Sequence, residues 1–116
     1  MSSGTPSEKV RRIRTLNDKL RTTFDQSLGR IVLTQGVATL DSDVRAMVIR
    51  KVATFEAFGP DNDPYGEHDF GNFELAGRSF FWKIDVYDEH LEFGSEAPSD
   101  PEKTTRVLTI MLAEES

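Results

Sequence analysis

The chain opens with a helical pattern of apolar residues. From Ser7 onward these residues recur at intervals of three and four, which places them on one face of a helix. They are Val10, Ile13, Leu16, Leu20 and Phe24. Ser7 is predicted to cap the start of this helix, and its end is predicted near Gly29, because glycine is frequent just beyond helix C-termini. Residues 1–6, which contain Ser, Gly and Pro, are predicted to form a flexible N-terminal tail.

A short strand and a second helix are predicted next. The segment RIVLTQGV is brief and rich in β-branched residues, which favours a strand with Ile31 and Leu33 on one face. A helix is then predicted from Asp41 or Ser42 to about Phe58, where a Gly-Pro step ends it. Its apolar stripe comprises Val44, Val48, Val52 and Phe55.

The strongest β pattern is DFGNFELAGRSFFWKIDVYD, which reads as two strands joined by a tight turn at Ala76-Gly77. Side chains alternate between the two faces of a strand. One face of the second strand is apolar and is predicted to join the core: Phe80, Trp82, Ile84 and Val86. The other face is mixed in character, which makes it a candidate surface for binding: Phe81, Lys83, Asp85 and Tyr87.

The chain ends with the apolar run RVLTIMLA after a loop rich in turn-forming residues. Both alternating faces of this run are apolar, which favours a central strand covered on both sides, with a short helix as the competing assignment. The element order predicts an α+β fold with a mostly antiparallel four-stranded sheet and two helices packed on one face. Residues 7–116 are predicted to form a single domain.

Composition and charge exclude several classes of function. The chain has no cysteine, which excludes disulfides, thiol catalysis and cysteine-bound metals. No apolar run approaches the roughly 20 residues of a membrane span, and the N-terminus is polar, so a cytoplasmic protein with no membrane partner is predicted. The net charge is −6, and residues 56–102 carry thirteen acidic residues against two basic ones, which argues against binding to nucleic acid.

The first helix is basic, because residues 1–29 carry six Lys or Arg against three acidic residues. Three targets are open for this helix: the acidic surface of its own chain, a second copy in a homodimer, or a separate polyanion. Solvated charged faces without any partner are the simplest alternative.

The segment DNDPYGEHDFG raises the question of a metal site, because four carboxylates and a histidine lie within eleven residues. The candidate ligands of a divalent cation, the one cofactor considered, are Asp61, Asp63, Glu67, His68 and Asp69. On the EF-hand spacing, Tyr65 stands where a ligand belongs and Asn72 replaces the closing glutamate. A looser cation site stays open, but an acidic turn ordered by its own hydrogen bonds is favoured.

Catalysis is the less favoured function. No phosphate-binding glycine loop, dinucleotide fingerprint or serine nucleophile elbow occurs in the chain. Acid–base chemistry could use Glu67, His68, Asp85 and Asp88. The alternative function is therefore a metal-dependent hydrolase or transferase centred on Glu67, His68 and Asp69.

A binding function is favoured, because aromatic side chains rimmed by charges are typical of protein-recognition surfaces. The partner is predicted to be another protein or a second copy of the chain. The predicted interaction residues are Tyr65, Phe81, Lys83, Asp85 and Tyr87.

Three segments, NDPYGEHDFG, FFWKIDVYD and RVLTIMLAEE, resemble the bacterial family called domain of unknown function 3768. The resemblance extends from about Leu16 to Glu115 and names no activity. It implies only a context, that of an accessory protein of bacterial mobile or horizontally acquired DNA.

Overall fold

The computed structural model describes residues 7–116 of the protein, so the predicted tail over residues 1–6 lies outside the described residues. The elements are α1 (Glu8–Thr23), β1 (Gly29–Leu33), α2 (Gln35–Ala38), α3 (Ser42–Ala53), β2 (Phe70–Leu75), β3 (Arg78–Tyr87), β4 (Thr105–Leu112) and a short terminal 3-10 helix (Ala113–Glu115). Within these residues no helix has both the length and the apolar content needed to cross a membrane.

The four strands form one sheet in the order β1-β4-β3-β2. β2 pairs with β3 and β3 pairs with β4 in antiparallel register, whereas β1 pairs with β4 in parallel. The α+β class and the four strands are thus confirmed, but the sheet is mixed, since one of its three pairings is parallel. A tight turn forces β2 and β3 to be antiparallel, but no turn links β1 to β4, so the hydrophobic pattern did not indicate their relative direction.

α1 begins as predicted and ends earlier. The Ser7 hydroxyl accepts a hydrogen bond from the Val10 N–H at 3.1 Å, which confirms the N-cap. The helix ends at Thr23, because Phe24 adopts a left-handed backbone conformation with φ of 57° and caps the last turn. The prediction that Phe24 belongs to the apolar face of this helix is therefore wrong.

The structure has three α-helices where the sequence predicted two. After Leu33 the chain turns into α2 instead of extending the predicted strand. The carboxylate of Glu115 accepts hydrogen bonds from the Thr34 hydroxyl at 2.6 Å and from the Gly36 N–H at 2.9 Å. α2 therefore depends on a residue at the far end of the chain, and local periodicity gave no sign of it. α3 also ends at Ala53, before the predicted Phe58.

The core lies between the helices and one face of the sheet. Phe80 and Trp82 are fully buried, and Ile84 is 5% exposed, as their alternation predicted. All three helices contribute buried apolar side chains to this same cluster, so the helices cover one face, as predicted. β4 is central, also as predicted; on its second face Met111 is buried, whereas Val107 and Thr109 are only half-buried.

Candidate functional site

The acidic loop between α3 and β2 is ordered mainly by local hydrogen bonds. The Asn62 side chain accepts from the Gly59 N–H at 2.7 Å and donates to the Ala57 carbonyl at 3.0 Å. Asp63 Oδ1 accepts the His68 N–H at 3.1 Å. These bonds are of the kind predicted for an acidic turn, because Asn and Asp side chains replace missing backbone partners.

His68 lies at the centre of the loop, between two carboxylates. Its Nδ1 is 3.0 Å from both carboxylate oxygens of Asp18, and its Nε2 is 3.7 Å from Asp63 Oδ2. Its ring stacks on Phe58 with a centroid distance of 3.7 Å and an interplanar angle of 2°. Both ring nitrogens therefore face acids of the chain itself, so a cation at His68 would have to compete with one of these contacts.

α1 holds this loop against the body of the protein. Arg14 donates to the Gly66 carbonyl at 2.6 Å, and Asn17 donates to the Glu67 carbonyl at 3.0 Å. Asp18, which contacts His68, is itself paired with Arg21 at 2.9 Å. The basic helix thus binds its own acidic loop, through backbone carbonyls and through an acid that the helix carries.

Arg21 joins the loop to the core. Its Nη1 donates to the Val52 carbonyl at the end of α3 at 2.8 Å. Its guanidinium carbon lies 5.1 Å from the centre of the Phe58 ring and 5.3 Å from that of Trp82. Since a guanidinium over aromatic faces is attracted to their π electrons, Arg21 stabilises both the helix packing and the aromatic stack.

The sequence pattern did not identify Arg106 as a buried polar residue. It is fully buried; its Nε donates to Asn17 Oδ1 at 2.7 Å and its Nη2 donates to the Pro98 carbonyl, while Nη1 is buried and has no partner among the described residues. Burial lowers the pKa of Arg106 to about 10, and the nearby Glu67 carboxylate partly opposes this shift. The position of Arg106 near the start of a central apolar strand was the feature of the sequence that could have indicated its burial.

The candidate cation ligands are near one another in the loop, but they do not surround a common point where an ion could bind. Burial is the main cause that raises the pKa of Glu67, followed by the charges of Asp69 and Asp63. Burial likewise raises the pKa of Asp69. Among residues 7–116, no three His, Asp or Glu side chains are grouped so that they could hold a metal ion. Asp61 is exposed at the turn.

The predicted interaction residues of β3 lie together on the second face of the sheet. Phe81 contacts Phe70 with ring centroids 5.5 Å apart, and Lys83 pairs with Asp85 at 3.2 Å. We call this surface the open face. Its members, taken from the strand register, are Arg30, Val32, Phe70, Asn72, Glu74, Ser79, Phe81, Lys83, Asp85, Tyr87, Thr105, Val107, Thr109 and Met111.

Tyr65, the fifth predicted interaction residue, lies elsewhere. It is 77% exposed in the acidic loop, next to the Gly66 carbonyl that Arg14 binds, and so belongs to the helix-covered side. A second aromatic residue, Phe93, is 70% exposed in the loop after β3. Phe93 was not singled out from the sequence, although a phenylalanine among acidic and turn-forming residues was a usable signal.

A match to a protein family covers most of the chain. The family described as Protein of unknown function (DUF3768) matches residues 33–115, which confirms the resemblance seen in the three segments. The matched range contains the loop and the hairpin but excludes α1, which holds the loop in place. No curated protein and no solved structure matches the chain.

Proposed function

The chain belongs to the family described as Protein of unknown function (DUF3768), and we propose that it is a non-enzymatic protein-binding module whose binding surface is the open face of its sheet. The partner is a protein that offers an apolar strip with charges opposite to Lys83 and Asp85. A context in mobile or horizontally acquired DNA stays a prediction from the resemblance.

One observation carries this proposal: the described helices cover a single face of the sheet, although the second, mixed face also carries apolar side chains. On the open face Val32 is 41% exposed, and Phe70, Phe81 and Val107 are half-buried. Contiguous apolar patches on a folded protein mark interaction sites, because leaving them in water costs free energy.

The charged residues of the open face can orient a protein partner on this surface. Lys83 and Asp85 are 48% and 41% exposed and pair with each other at 3.2 Å, so this part of the surface is locally neutral. A neutral pair within an apolar surface attracts neither a polyanion nor a polycation strongly. Instead, it favours a protein partner whose charges match in register, since like charges in contact are costly.

The arrangement of the acidic loop also favours binding over catalysis. His68 is occupied by Asp18 and Asp63, and its ring is stacked on Phe58. A general base needs a nitrogen or oxygen within reach of a substrate proton. The metal-dependent hydrolase or transferase centred on Glu67, His68 and Asp69 stays an untested alternative.

A site-specific crosslink tests the proposal. We would place a photo-reactive phenylalanine analogue at position 83 in the open face and, as a matched control, at Glu56, which is also exposed but lies after α3. In cells that naturally carry the chain, we expect one discrete adduct from position 83 and none from position 56. The same adducts from both positions, or no adduct from either, would refute the open face as the binding surface.

The captured protein must then bind through this face in purified form. Lys83→Glu places a second acid beside Asp85, and we expect it to weaken binding at least about tenfold, as unfavourable charge contacts at interfaces do. Lys9→Glu, on the exposed side of α1, makes the same charge change as a control and should leave the dissociation constant unchanged. Equal losses in both variants would indicate a nonspecific charge effect and contradict the proposal.

A further inference from the structure

Phe93 is displayed on a turn that is held rigidly. Asp88 Oδ1 accepts hydrogen bonds from the N–H groups of His90 at 3.1 Å and Glu92 at 3.0 Å. The Asp88 N–H donates to the Phe93 carbonyl at 2.7 Å. The ring is nevertheless 70% exposed, so the turn presents a large apolar side chain to solvent at a fixed position. Fixed, exposed aromatic residues are the usual anchors of protein interfaces.

The surroundings of Phe93 are mainly acidic. It lines a surface cavity together with Asp88, Glu89 and Glu96, and Glu92 is exposed beside it. The same cavity includes one cation, Lys103, and also His90. The acids outnumber these groups, so a partner surface with an apolar depression and basic edges would fit this turn.

The chain itself carries such a surface on α3. A groove of about 420 Å³ is lined by Phe24, Ala46, Met47, Ile49, Arg50 and Ala53. A neighbouring depression of about 300 Å³ shares two of these residues and is lined by Met47, Arg50, Lys51, Thr54 and Leu75. We call the two together the α3 groove. Its charged lining residues, Arg50 and Lys51, are both basic, although the whole chain carries a net charge of −6.

We propose that the chain associates with a second copy of itself, with Phe93 of one copy seated in the α3 groove of the other. Met47 is 50% exposed at the groove, and its flexible thioether can adapt to an aromatic ring. Glu89 and Glu92 then lie opposite the basic edge of the groove. The proposal uses neither Lys83 nor the rest of the open face, so it stands independently of the proposed function.

The contact must form between copies, because the two surfaces lie at opposite ends of the hairpin. Leu75, which lines the groove, pairs with Arg78 at the first residue of β3. Phe93 follows Tyr87, the last residue of β3. Ten residues of strand span roughly 30 Å at about 3.3 Å per residue, which is too far for a contact within one copy.

Sedimentation of two complementary variants tests this contact. Phe93→Ser removes the anchor, and Met47→Glu places an acid in the groove; both side chains are at least half exposed, so the fold should tolerate each change. We expect the native chain to exceed its monomer mass of 13.1 kDa as its concentration rises toward roughly 1 mM, a weak-complex range. Each variant alone should sediment as a monomer.

The mixture of the two variants gives the decisive result. Phe93→Ser keeps an intact groove and Met47→Glu keeps the anchor, so an equimolar mixture should regain a complex of twice 13.1 kDa. Lys83→Glu serves as the control and should associate like the native chain. A native chain that stays monomeric, a mixture that fails to associate while both variants keep the native unfolding midpoint, or loss of association in Lys83→Glu would overturn the proposal.

Discussion

At the scale of single residues, Gly71 sets the space for the indole at the centre of the core. A Cβ at this position would lie 2.4 Å from Trp82 Nε1 and 2.9 Å from the Phe55 ring. Trp82 is fully buried and packs edge-to-face on Phe55 at 5.7 Å, so a Cβ at position 71 would press on both rings. One absent methyl group therefore decides how β2 and β3 bury their largest side chain.

Gly71→Ala is expected to destabilise the protein by roughly 1–3 kcal/mol, the usual cost of an overpacked core. Denaturant unfolding measures this loss. Gly94→Ala is the control, because the added Cβ would meet only the Val86 carbonyl oxygen at 3.9 Å. Its effect should stay within about 0.5 kcal/mol, as at ordinary surface sites. Equal effects at the two glycines would contradict the packing argument.

Arg106 is a fully buried cation with two protein acceptors, the Asn17 side chain and the Pro98 carbonyl. Asn17 accepts its Nε–H at 2.7 Å, and no atom of residues 7–116 accepts from Nη1. Asn17→Leu is expected to cost roughly 1–3 kcal/mol, because it leaves a second buried donor of Arg106 without a partner. Arg106→Met in the same chain should recover part of that loss, since an apolar replacement needs no partner. A double-mutant cycle of unfolding free energies measures this, and strictly additive losses would contradict the coupling.

At the scale of elements, α2 depends on a carboxylate supplied by the end of the chain. Hydrogen bonding, first from the Thr34 hydroxyl and then from the Leu112 and Gly36 N–H groups, lowers the pKa of Glu115. The carboxylate therefore stays ionised, and keeps these bonds, to a lower pH than an ordinary glutamate does.

Glu115→Ala should loosen α2 without unfolding the sheet. We expect the Gly36 amide to exchange its hydrogen faster, because it loses its acceptor, while the amides of β3 stay protected. Glu114→Ala is the matched control, since Glu114 is largely exposed and, within the part of the chain that the structure describes, pairs only with Arg78. Uniformly faster exchange across the protein in Glu115→Ala would show that the carboxylate supports the whole fold and not α2 alone.

The acidic loop, as an element, is held by α1 and by its own turns. Its histidine lies between Asp18 and Asp63, so we expect no rise in the thermal unfolding midpoint when calcium, magnesium, manganese or zinc is added after chelation. A ligand that binds the folded state must raise that midpoint by mass action. A rise of several degrees with one ion, absent in His68→Ala, would refute this expectation and favour the metal-dependent alternative.

At the scale of the whole molecule, two groups of carboxylates make opposite contributions to the pH dependence of stability. Burial raises the pKa values of Glu67 and Asp69, so the unfolded chain loses these protons at a lower pH than the folded chain does. The contribution of both groups to stability therefore falls as the pH rises through that window. Asp25, Asp88 and Glu115 have lowered pKa values and act in the opposite sense, since their contribution is lost as the pH falls.

Glu67→Gln is expected to raise the free energy of unfolding at neutral pH. It should also reduce the fall of this free energy as the pH rises above 4.5, the ordinary pKa of that carboxyl. The substitution spares the hydrogen bond from Asn17, which is made to the Glu67 backbone carbonyl. Unfolding curves from pH 4 to 8 measure the effect. Glu74→Gln, at an exposed position of β2, is the control and should leave the profile unchanged. A less stable Glu67→Gln at neutral pH would show that its attraction to Arg106 outweighs its burial.

The sequence by itself determined what depends on neighbouring residues: the Ser7 cap, the Ala76-Gly77 hairpin, the core face of β3 and the local bonds of the acidic loop. Periodicity and turn chemistry act over a few residues, so one chain is enough to reveal them. Tertiary structure alone decided the parallel pairing of β1 with β4, the helix α2 and the burial of Arg106. These depend on partners far apart in sequence, such as Arg106 with Asn17 and Glu115 with Thr34, and a local pattern carries no information about such contacts.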